Sequence, residues 1–409
     1  MPFSTSFRTV VARSPAALLF HLSRVPAVRD KVLLFALTPN APSSELSLLV
    51  QKLTTLSPYN IGCLSEPLPG QYDGLVSCSF ALFDLDSCFP FHSRIPGRAS
   101  PQVGRRHSFR HKHSDALLDQ KVPSGNVGWG TVWDQSLANT VLPDGLESAN
   151  PDGVGTIIYF TDAAPEGLSN ALTRFPGATK LGLFAASTPF ITGRPVTLFK
   201  NDKIYDSGAV GLALKHSKPD ARVQFLDMKP LSAPMLVTQS EGNLVISLDN
   251  KNPTQLLLSA IRAAGLETDP SNSFKDNEDF ALAAVQDEMP HQMCTIMSGD
   301  PSRGTIALRS MSAPVVNTRV QFFHRPRSTA TTLPQDLRHT LSFAARPSME
   351  QSSALPELSS DVLVLDDTFL AASEGGFILS RSEKGKGEAA WSCAIPGSLA
   401  TLQWPKCDT

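Results

Sequence analysis

The chain lacks any hydrophobic run long enough to cross a membrane. Its longest apolar stretches, such as Val32–Leu37 and Val76–Phe83, fall far short of the roughly 18 residues that a spanning helix needs. An excess of one charge is also missing, since 36 Lys and Arg residues face 38 Asp and Glu residues. No global electrostatic field therefore attracts nucleic acid or anionic lipid, and we expect a soluble protein without a membrane span.

Catalytic signatures are missing as well. The sequence contains no G-x-S-x-G elbow, no P-loop, no G-x-G-x-x-G fingerprint and no C-x-x-C pair. Its six cysteines predict reduced thiols inside a cell, because disulfide frameworks belong to small secreted chains. Cys88 lies four residues before His92 and is the best of six poor candidates for a nucleophile, and the sequence favours an unreactive loop cysteine instead. We therefore predict that the protein is not an enzyme and uses no cofactor.

Strand-like and helix-like segments alternate along most of the chain. A strand at Ser6–Val11 precedes a helix capped by Ser14, and a later helix is capped by Asn252 and closed by Gly265. The rhythm predicts an α/β to α+β fold, with two domains whose mixed β-sheets are flanked by helices. The predicted divisions are an N-terminal strand and helix at 1–30, an α/β domain at 31–234 and an α+β domain at 235–409.

Three segments interrupt this rhythm. Asp86–Val154 has weak periodicity and predicts a long loop, in which we expect Ser93–Val122 to be mobile or loosely packed and Arg94–Lys112 to be largely exposed. Leu333–Leu358 is rich in Ser, Pro and Gln and also predicts a loop, whereas Phe280–Gln286 follows an acidic cluster and predicts a helix. No internal repeat with a fixed period is evident.

The first 29 residues have two interpretations, and each predicts a different cellular compartment. Four arginines and no acid precede Asp30, which is typical of a mitochondrial presequence and predicts the mitochondrial matrix. The alternative is that this segment is an ordinary first strand and helix, in which case the protein is cytoplasmic.

A basic segment lies inside the long predicted loop. Its six cations are Arg94, Arg98, Arg105, Arg106, Arg110 and Lys112. Without a counter-charge they favour an anion or an acidic protein partner, or else form a merely solvated loop. Aromatic residues are few here, so nucleic acid is an unlikely partner. His107, His111 and His113 have a ligand-like spacing, but the cations around them disfavour a metal, and we predict none.

Several strand and turn motifs resemble those of the FIST family. They are Asn60–Cys63, the hairpin Val196–Ile204, the strand Ser207–Leu214, and the segment from Val237 through Glu241–Asn243 to Asp249. The resemblance implies FIST N-like and FIST C-like domains and a non-enzymatic module for ligand sensing or signal transduction. We expect a form without the F-box that some relatives carry, because few residues precede the first predicted strand. The alternatives are a protein-interaction adaptor, using the basic segment and the C-terminal domain, and an uncharacterised enzyme.

A ligand site is predicted around the hairpin, where the resemblance is densest. Gly208 and Gly211 leave the backbone of one strand open to close approach, although tight sheet packing explains them too. Hydrogen-bonding side chains occupy the preceding turn, namely Ser187, Thr188, Thr192 and Arg194. Arg194 can hold a carboxylate through two parallel hydrogen bonds, or it pairs with a structural acid. The predicted ligand is an unknown small molecule, and a protein partner is the alternative.

Overall fold

A computed structural model describes residues 6–97, 141–266, 280–299, 304–310, 312–326, 332–334, 336–347, 360–383 and 386–404 of the chain. Within these ranges the strands far outnumber the helices and form mixed sheets. The predicted fold class, α/β to α+β with mixed sheets, is confirmed.

The elements fall into three consecutive groups. The first comprises β1 (Ser6–Ala12), α1 (Pro15–Ser23), β2 (Lys31–Leu37), α2 (Ser43–Leu56), β3 (Tyr59–Leu64), β4 (Val76–Asp84), β5 (Cys88–Ser93), β6 (Val154–Thr161), α3 (Glu166–Leu172), β7 (Thr179–Phe184), α4 (Pro189–Thr192), β8 (Leu198–Lys200), β9 (Lys203–Tyr205), β10 (Ala209–Lys215) and β11 (Asp220–Phe225). The second comprises β12 (Lys229–Pro230), β13 (Met235–Glu241), β14 (Leu244–Leu248), α5 (Pro253–Ala263), β15 (Phe280–Gln286), β16 (Met289–Gly299), β17 (Ile306–Leu308) and β18 (Arg319–His324). The third comprises β19 (Thr340–Ala345), β20 (Val362–Asp366), β21 (Thr368–Ser373), β22 (Phe377–Ser380), β23 (Ser382–Glu383), β24 (Lys386–Gly387), β25 (Trp391–Cys393) and β26 (Ser398–Gln403).

Two helices begin at the residues that the sequence predicts. The Ser14 side chain accepts a hydrogen bond from the Ala17 N–H at 3.2 Å and caps α1. The Asn252 side chain accepts one from the Gln255 N–H at 3.0 Å and caps α5. Beyond α5, Gly265 has a φ of 67°, which is the left-handed conformation of a common helix end.

Three of the predicted segments differ from the structure. Phe280–Gln286 is strand β15 and not a helix, and it lies between β16 and β18 with six of its seven residues buried. The predicted loop at Leu333–Leu358 contains β19, and the predicted loop at Asp86–Val154 contains β5. β5 and β19 pair with strands that are distant in the sequence, and β15 pairs with the distant β18 as well as with its neighbour β16, so the local sequence carries little sign of these pairings.

The same arrangement of four strands occurs three times. In each unit the first strand pairs antiparallel with the fourth, the fourth antiparallel with the second, and the second parallel with the third. Unit 1 contains β1 to β4; unit 2 contains β5, β6, β7 and β10; unit 3 contains β11, β19, β21 and β26. The sequence shows no fixed period because the units carry insertions of very different length, the largest being β12–β18 in unit 3.

The three units are joined in a ring. Strand β8, between β7 and β10 of unit 2, pairs with β3 of unit 1. Strand β22, between β21 and β26 of unit 3, pairs with β7 of unit 2. The connection between β3 and β4 of unit 1 forms a bridge from Glu66 to Ala372 in β21 of unit 3. Each unit therefore reaches the third strand of another, and the third strands lie around a common axis.

One face of the sheet in each of the three units contributes to a central core. Its buried members include Leu34, Ile61 and Phe83 of unit 1, Ile158, Leu183 and Leu212 of unit 2, and Leu341, Phe343 and Phe369 of unit 3. Because side chains alternate between the faces of a strand, the neighbouring residues point outward. In unit 1 the outward Phe35 packs with Leu18 of α1 and Leu49 of α2, and in unit 2 Tyr159 packs with Leu168 of α3.

The insertion in unit 3 is a small barrel. Its pairings run β18–β13–β14–β17–β16–β15 and return to β18, which closes a ring of six strands. Helix α5 adds Leu257 and Ile261 to the barrel interior. On the outside, Met293 and Phe323 belong to the central core together with Trp391. The barrel therefore packs against the central core.

Strands beyond the barrel return to the first half of the chain. β20 pairs with β1 and β22 pairs with β7, so strand pairing crosses the predicted boundary near residue 235. An exposed ion pair between Arg8 and Asp366, at 2.8 Å, joins the same two regions. Strands this far apart in the sequence leave no local pattern that predicts their pairing. The predicted domain divisions 1–30, 31–234 and 235–409 stay a prediction.

The acid-free N-terminal segment supplies an inner strand. β1 lies between β4 and β20, and its Val10 and Val11 are fully buried.

Among the described residues, no helix combines the length and the apolar character needed to cross a membrane.

A buried lysine gives the fold an expected pH dependence. The Lys180 ammonium donates to the carbonyl oxygens of Phe175 and Ala178, at 2.8 and 3.1 Å, and burial lowers its pKa to about 8. The unfolded chain binds this proton more tightly, so the free energy of unfolding should rise between about pH 8 and pH 10.5. We expect Lys180→Met to remove up to about 3 kcal/mol of that rise in urea unfolding. Exposed Lys218→Met should leave it unchanged, and equal slopes in all three proteins would contradict the assignment.

Candidate functional site

A cavity of about 270 Å³ lies where β3, β7 and β21, the third strands of the three units, come to an end. We call it the axial cavity. Its lining residues are Glu66, Ala185, Ser187, Arg309, Arg346, Ser373, Glu374, Gly375, Ala394 and Pro396. Each of the three strands is parallel to a neighbour in its sheet, and the carboxyl ends of parallel strands are a common place for ligands.

Backbone hydrogen bonds between units show which lining residues correspond. The Glu66 N–H donates to Ala372 O, near the end of β21, at 2.9 Å, and the Ala186 N–H donates to Leu64 O, at the end of β3, at 2.8 Å. Glu66 lies two residues beyond Leu64, and Glu374 two residues beyond Ala372. Glu66, Ala186 and Glu374 thus occupy the same place in the three units, and two of the three places carry a carboxylate.

Glu66 is half-buried beside the second carboxylate. Burial raises its pKa, and the negative charge of Glu374 raises it further. The Arg346 guanidinium and the Ser187 backbone N–H oppose this change but do not cancel it. Glu66 therefore accepts a proton more readily than an exposed glutamate.

Arg346 directly follows β19 and is held in one orientation. Its Nη2 lies 3.0 Å from Asp73 Oδ1, and its Nη1 donates to Pro67 O at 3.4 Å. The two paired side chains are only 13% and 14% exposed. A buried pair of this kind fixes a guanidinium before any ligand arrives, which reduces the entropy lost on binding.

Arg309 brings the barrel to the same cavity. It follows β17, and its backbone N–H donates to Thr295 O of β16 at 2.9 Å, while the residue is exposed. Two serines complete the polar wall. The Ser373 hydroxyl is buried and accepts from the Gly375 N–H at 3.0 Å, and Ser187 is exposed.

The axial cavity therefore combines strong donors with strong acceptors. Two guanidinium groups and a serine hydroxyl can donate to a ligand, and two glutamates can accept from it. Its volume suits a small molecule, and its polar wall suits one that forms several hydrogen bonds.

Of the six residues predicted to bind a ligand, only Ser187 lines this cavity. Thr188 is buried, with its hydroxyl 2.9 Å from that of Thr197, and the Thr192 hydroxyl donates to Thr188 O at 3.2 Å. Arg194 is exposed and donates from Nη1 to Thr192 O at 3.3 Å. These contacts organise the turn itself, and a ligand role for Thr188, Thr192 and Arg194 stays a prediction.

The two predicted glycines pack against protein. A Cβ on Gly208, which has a φ of 81°, would lie 2.1 Å from Ser93 O. A Cβ on Gly211 would lie 2.5 Å from the Phe91 ring and 2.6 Å from Ile158 O. Tight sheet packing, the alternative weighed from the sequence, accounts for both positions. Glycines with a similar φ precede the fourth strand in the other units, at Gly74 and Gly397.

Cys88 has the environment of a structural thiol. Its side chain is buried and donates to Asp84 O at 3.3 Å, and burial raises its pKa to about 12. The nearby His92 is buried as well and stacks on Tyr205 with 3.8 Å between ring centroids. A thiolate is the reactive form of cysteine, so this environment disfavours nucleophilic chemistry.

Most of the basic segment lies outside the described residues. Arg94 is exposed, with its guanidinium carbon 5.8 Å from the centre of the Tyr205 ring. Arg98, Arg105, Arg106, Arg110 and Lys112 fall in the range that the structure does not describe, as do His107, His111, His113 and most of Ser93–Val122. Binding of a partner by this segment stays a prediction. In the described part of the chain, no three His, Cys, Asp or Glu side chains are grouped to hold a metal ion.

Sequence reasoning missed Glu66, Glu374, Arg346 and Arg309. One signal for the two glutamates was present, since the dipeptide Ser-Glu stands directly after β3 at residues 65–66 and at the end of β21 at residues 373–374, where Ser373 is the last residue of the strand. It acquires meaning only when both strands are recognised as third strands of repeated units.

The fold and cavity define an α+β protein of three repeated four-strand units with a polar cavity on their common axis. The family model described as the FIST N domain matches residues 32–251, which is more than half of the chain. The chain belongs to the FIST family, whose members are sensors in signal transduction. No curated protein matches the chain.

Proposed function

We propose that the protein is a non-enzymatic ligand-sensing module for signal transduction and that it binds a small polar molecule in the axial cavity. One observation supports this most strongly: the third strands of all three units end at the same polar cavity, so that a ligand there touches all three. Such a ligand can change how the units pack, which a sensor requires. Membership of a sensor family agrees with this role.

A screen of small polar molecules by thermal unfolding tests the proposal. A molecule that binds only the folded chain at 100 times its dissociation constant stabilises it by about 2.7 kcal/mol. Ser187→Trp places a large side chain in the cavity wall, and we expect it to abolish the stabilisation given by a cavity ligand.

Ser207→Trp is the matched control. Ser207 is exposed and lies at the turn before β10, next to Gly208 of the site predicted from the sequence. Stabilisation should survive this substitution. A ligand whose effect is lost in Ser207→Trp and kept in Ser187→Trp would place the site at the hairpin and contradict the proposal.

The adaptor function is an alternative that rests on the basic segment and the C-terminal region. Recovery of one protein partner from native cells, lost when the cations of 94–112 are replaced, would favour it over a small ligand.

Mitochondrial import likewise stays a proposal. Cleavage near residue 30 would remove β1 and α1 with their buried Val10 and Leu18, so an imported chain must keep this segment to retain sheet pairing in unit 1.

A further inference from the structure

Five charged groups of the described residues lie at or beside the axial cavity, and four of them are two cations and two anions. Asp73 pairs with Arg346 in the wall, and exposed Arg309 and Glu374 carry opposite charges at the cavity. The remaining group is the half-buried Glu66. The five groups together carry a charge of −1 when Glu66 is ionised and no net charge when it is protonated.

The two guanidinium groups reach the cavity from separate parts of the fold. Arg346 follows β19 of unit 3 and is already oriented by Asp73, whereas Arg309 follows β17 of the barrel. Guanidinium groups form short, charge-assisted hydrogen bonds to oxyanions, and two of them on one small cavity favour an anionic group between them. An ionised Glu66 would repel that group, whereas a protonated Glu66 can donate a hydrogen bond to it.

We propose that the axial cavity binds a small oxyanion of the carboxylate type between Arg346 and Arg309, and that Glu66 takes up one proton from solvent as the anion binds. This inference rests on the proposed function and adds the chemical class of the ligand. The burial of Glu66 and the neighbouring Glu374 both favour its protonated form, while Arg346 opposes it.

Proton uptake gives binding a defined pH dependence. If only the protonated form of Glu66 admits the anion, affinity falls by about tenfold for each pH unit above the pKa of Glu66 in the free protein. Below that pKa the affinity is constant. A bound cation gives the opposite sign, because it favours ionised Glu66 and binds more weakly as the pH falls.

The test uses the full chain with sodium acetate as the probe and sodium chloride at equal ionic strength as the blank. Thermal unfolding and isothermal titration are measured from about pH 5, just above the ordinary pKa of a glutamate, to about pH 8. We expect acetate to bind more tightly as the pH falls. Glu66→Gln, which is neutral at every pH, should bind acetate with no such dependence.

Two arginine variants separate this site from a general salt effect. Arg309→Gln removes one guanidinium from the cavity and should lose acetate binding. Arg194→Gln makes the same change at another exposed arginine, outside the cavity, and should keep it. An equal response of both variants and the wild type to acetate would overturn the site.

The remaining outcomes distinguish the two proposals. Binding of methylammonium in place of acetate, weaker at low pH and lost in Ser187→Trp, would overturn the oxyanion and leave the proposed function standing. Acetate binding that ignores pH in the wild type would overturn proton uptake by Glu66. If no probe and no screened molecule gives an effect that Ser187→Trp removes, the proposed function itself fails.

Discussion

A chain ended after Ser360 is expected to lose cooperative folding. The truncation removes β20 to β26, whose strands pair with β1, β7, β11 and β19 and so belong to all three sheets. Phe369, Phe377 and Leu402 are fully buried, and a single large core side chain contributes about 2–5 kcal/mol. The free energy lost with several such side chains exceeds the total stability of an ordinary domain, which is about 5–15 kcal/mol.

Circular dichroism and urea unfolding provide the measurement for this truncation. The control is a chain ended after Trp404, which keeps every described strand and should unfold cooperatively like the full chain. Two independent domains joined near residue 235 would behave differently. In that case the chain ended after Ser360 would retain one intact cooperative transition from its N-terminal half.

Gly208→Ala is expected to destabilise the fold strongly. Its φ of 81° lies in the left-handed region, and the added Cβ would come within 2.1 Å of the backbone oxygen of Ser93 in β5. The conformational cost is about 1–2 kcal/mol, and forcing β5 and β10 apart adds about 1–3 kcal/mol. Urea unfolding should therefore show a loss of about 2–5 kcal/mol.

Gly193→Ala is the matched control for this effect. Gly193 has a similar φ of 73°, but an added Cβ would meet no atom within 4 Å. It should lose only the conformational term, about 1–2 kcal/mol. Equal losses at the two positions would mean that close packing against β5 does not explain the glycine. The comparison of Gly208→Ala with Gly193→Ala also bears on the site predicted from the sequence, in which Gly208 leaves the strand backbone accessible to a ligand.

Features fixed by local chemistry were predictable from the sequence. The caps at Ser14 and Asn252 and the hairpin turn at Asn201, which has a φ of 56°, are each recognisable within a few residues. Strand β15 was wrongly predicted as a helix because its run of Phe, Ala, Leu and Val suits either structure. Its identity follows from pairing on both sides, with β16 and β18.

The candidate site was largely beyond local reasoning. Glu66, Arg309, Arg346 and Glu374 come together because three strand ends and one barrel turn meet on an axis. The repeat that creates this axis is hidden by the barrel, which separates β11 from β19 by more than a hundred residues. Ser187 was predicted for its hydrogen-bonding capacity and does line the cavity, whereas Arg194, chosen by the same reasoning, lies on the surface.

The most direct test of the central claim is a crystal structure of the full-length chain grown with the best ligand from the screen. We predict electron density in the axial cavity, in contact with Arg346 and Ser187 and within reach of Glu66. Density beside Arg194 or Gly208, two residues of the site predicted from the sequence, with the axial cavity empty, would contradict the claim that the ends of the three repeated units form the sensing site.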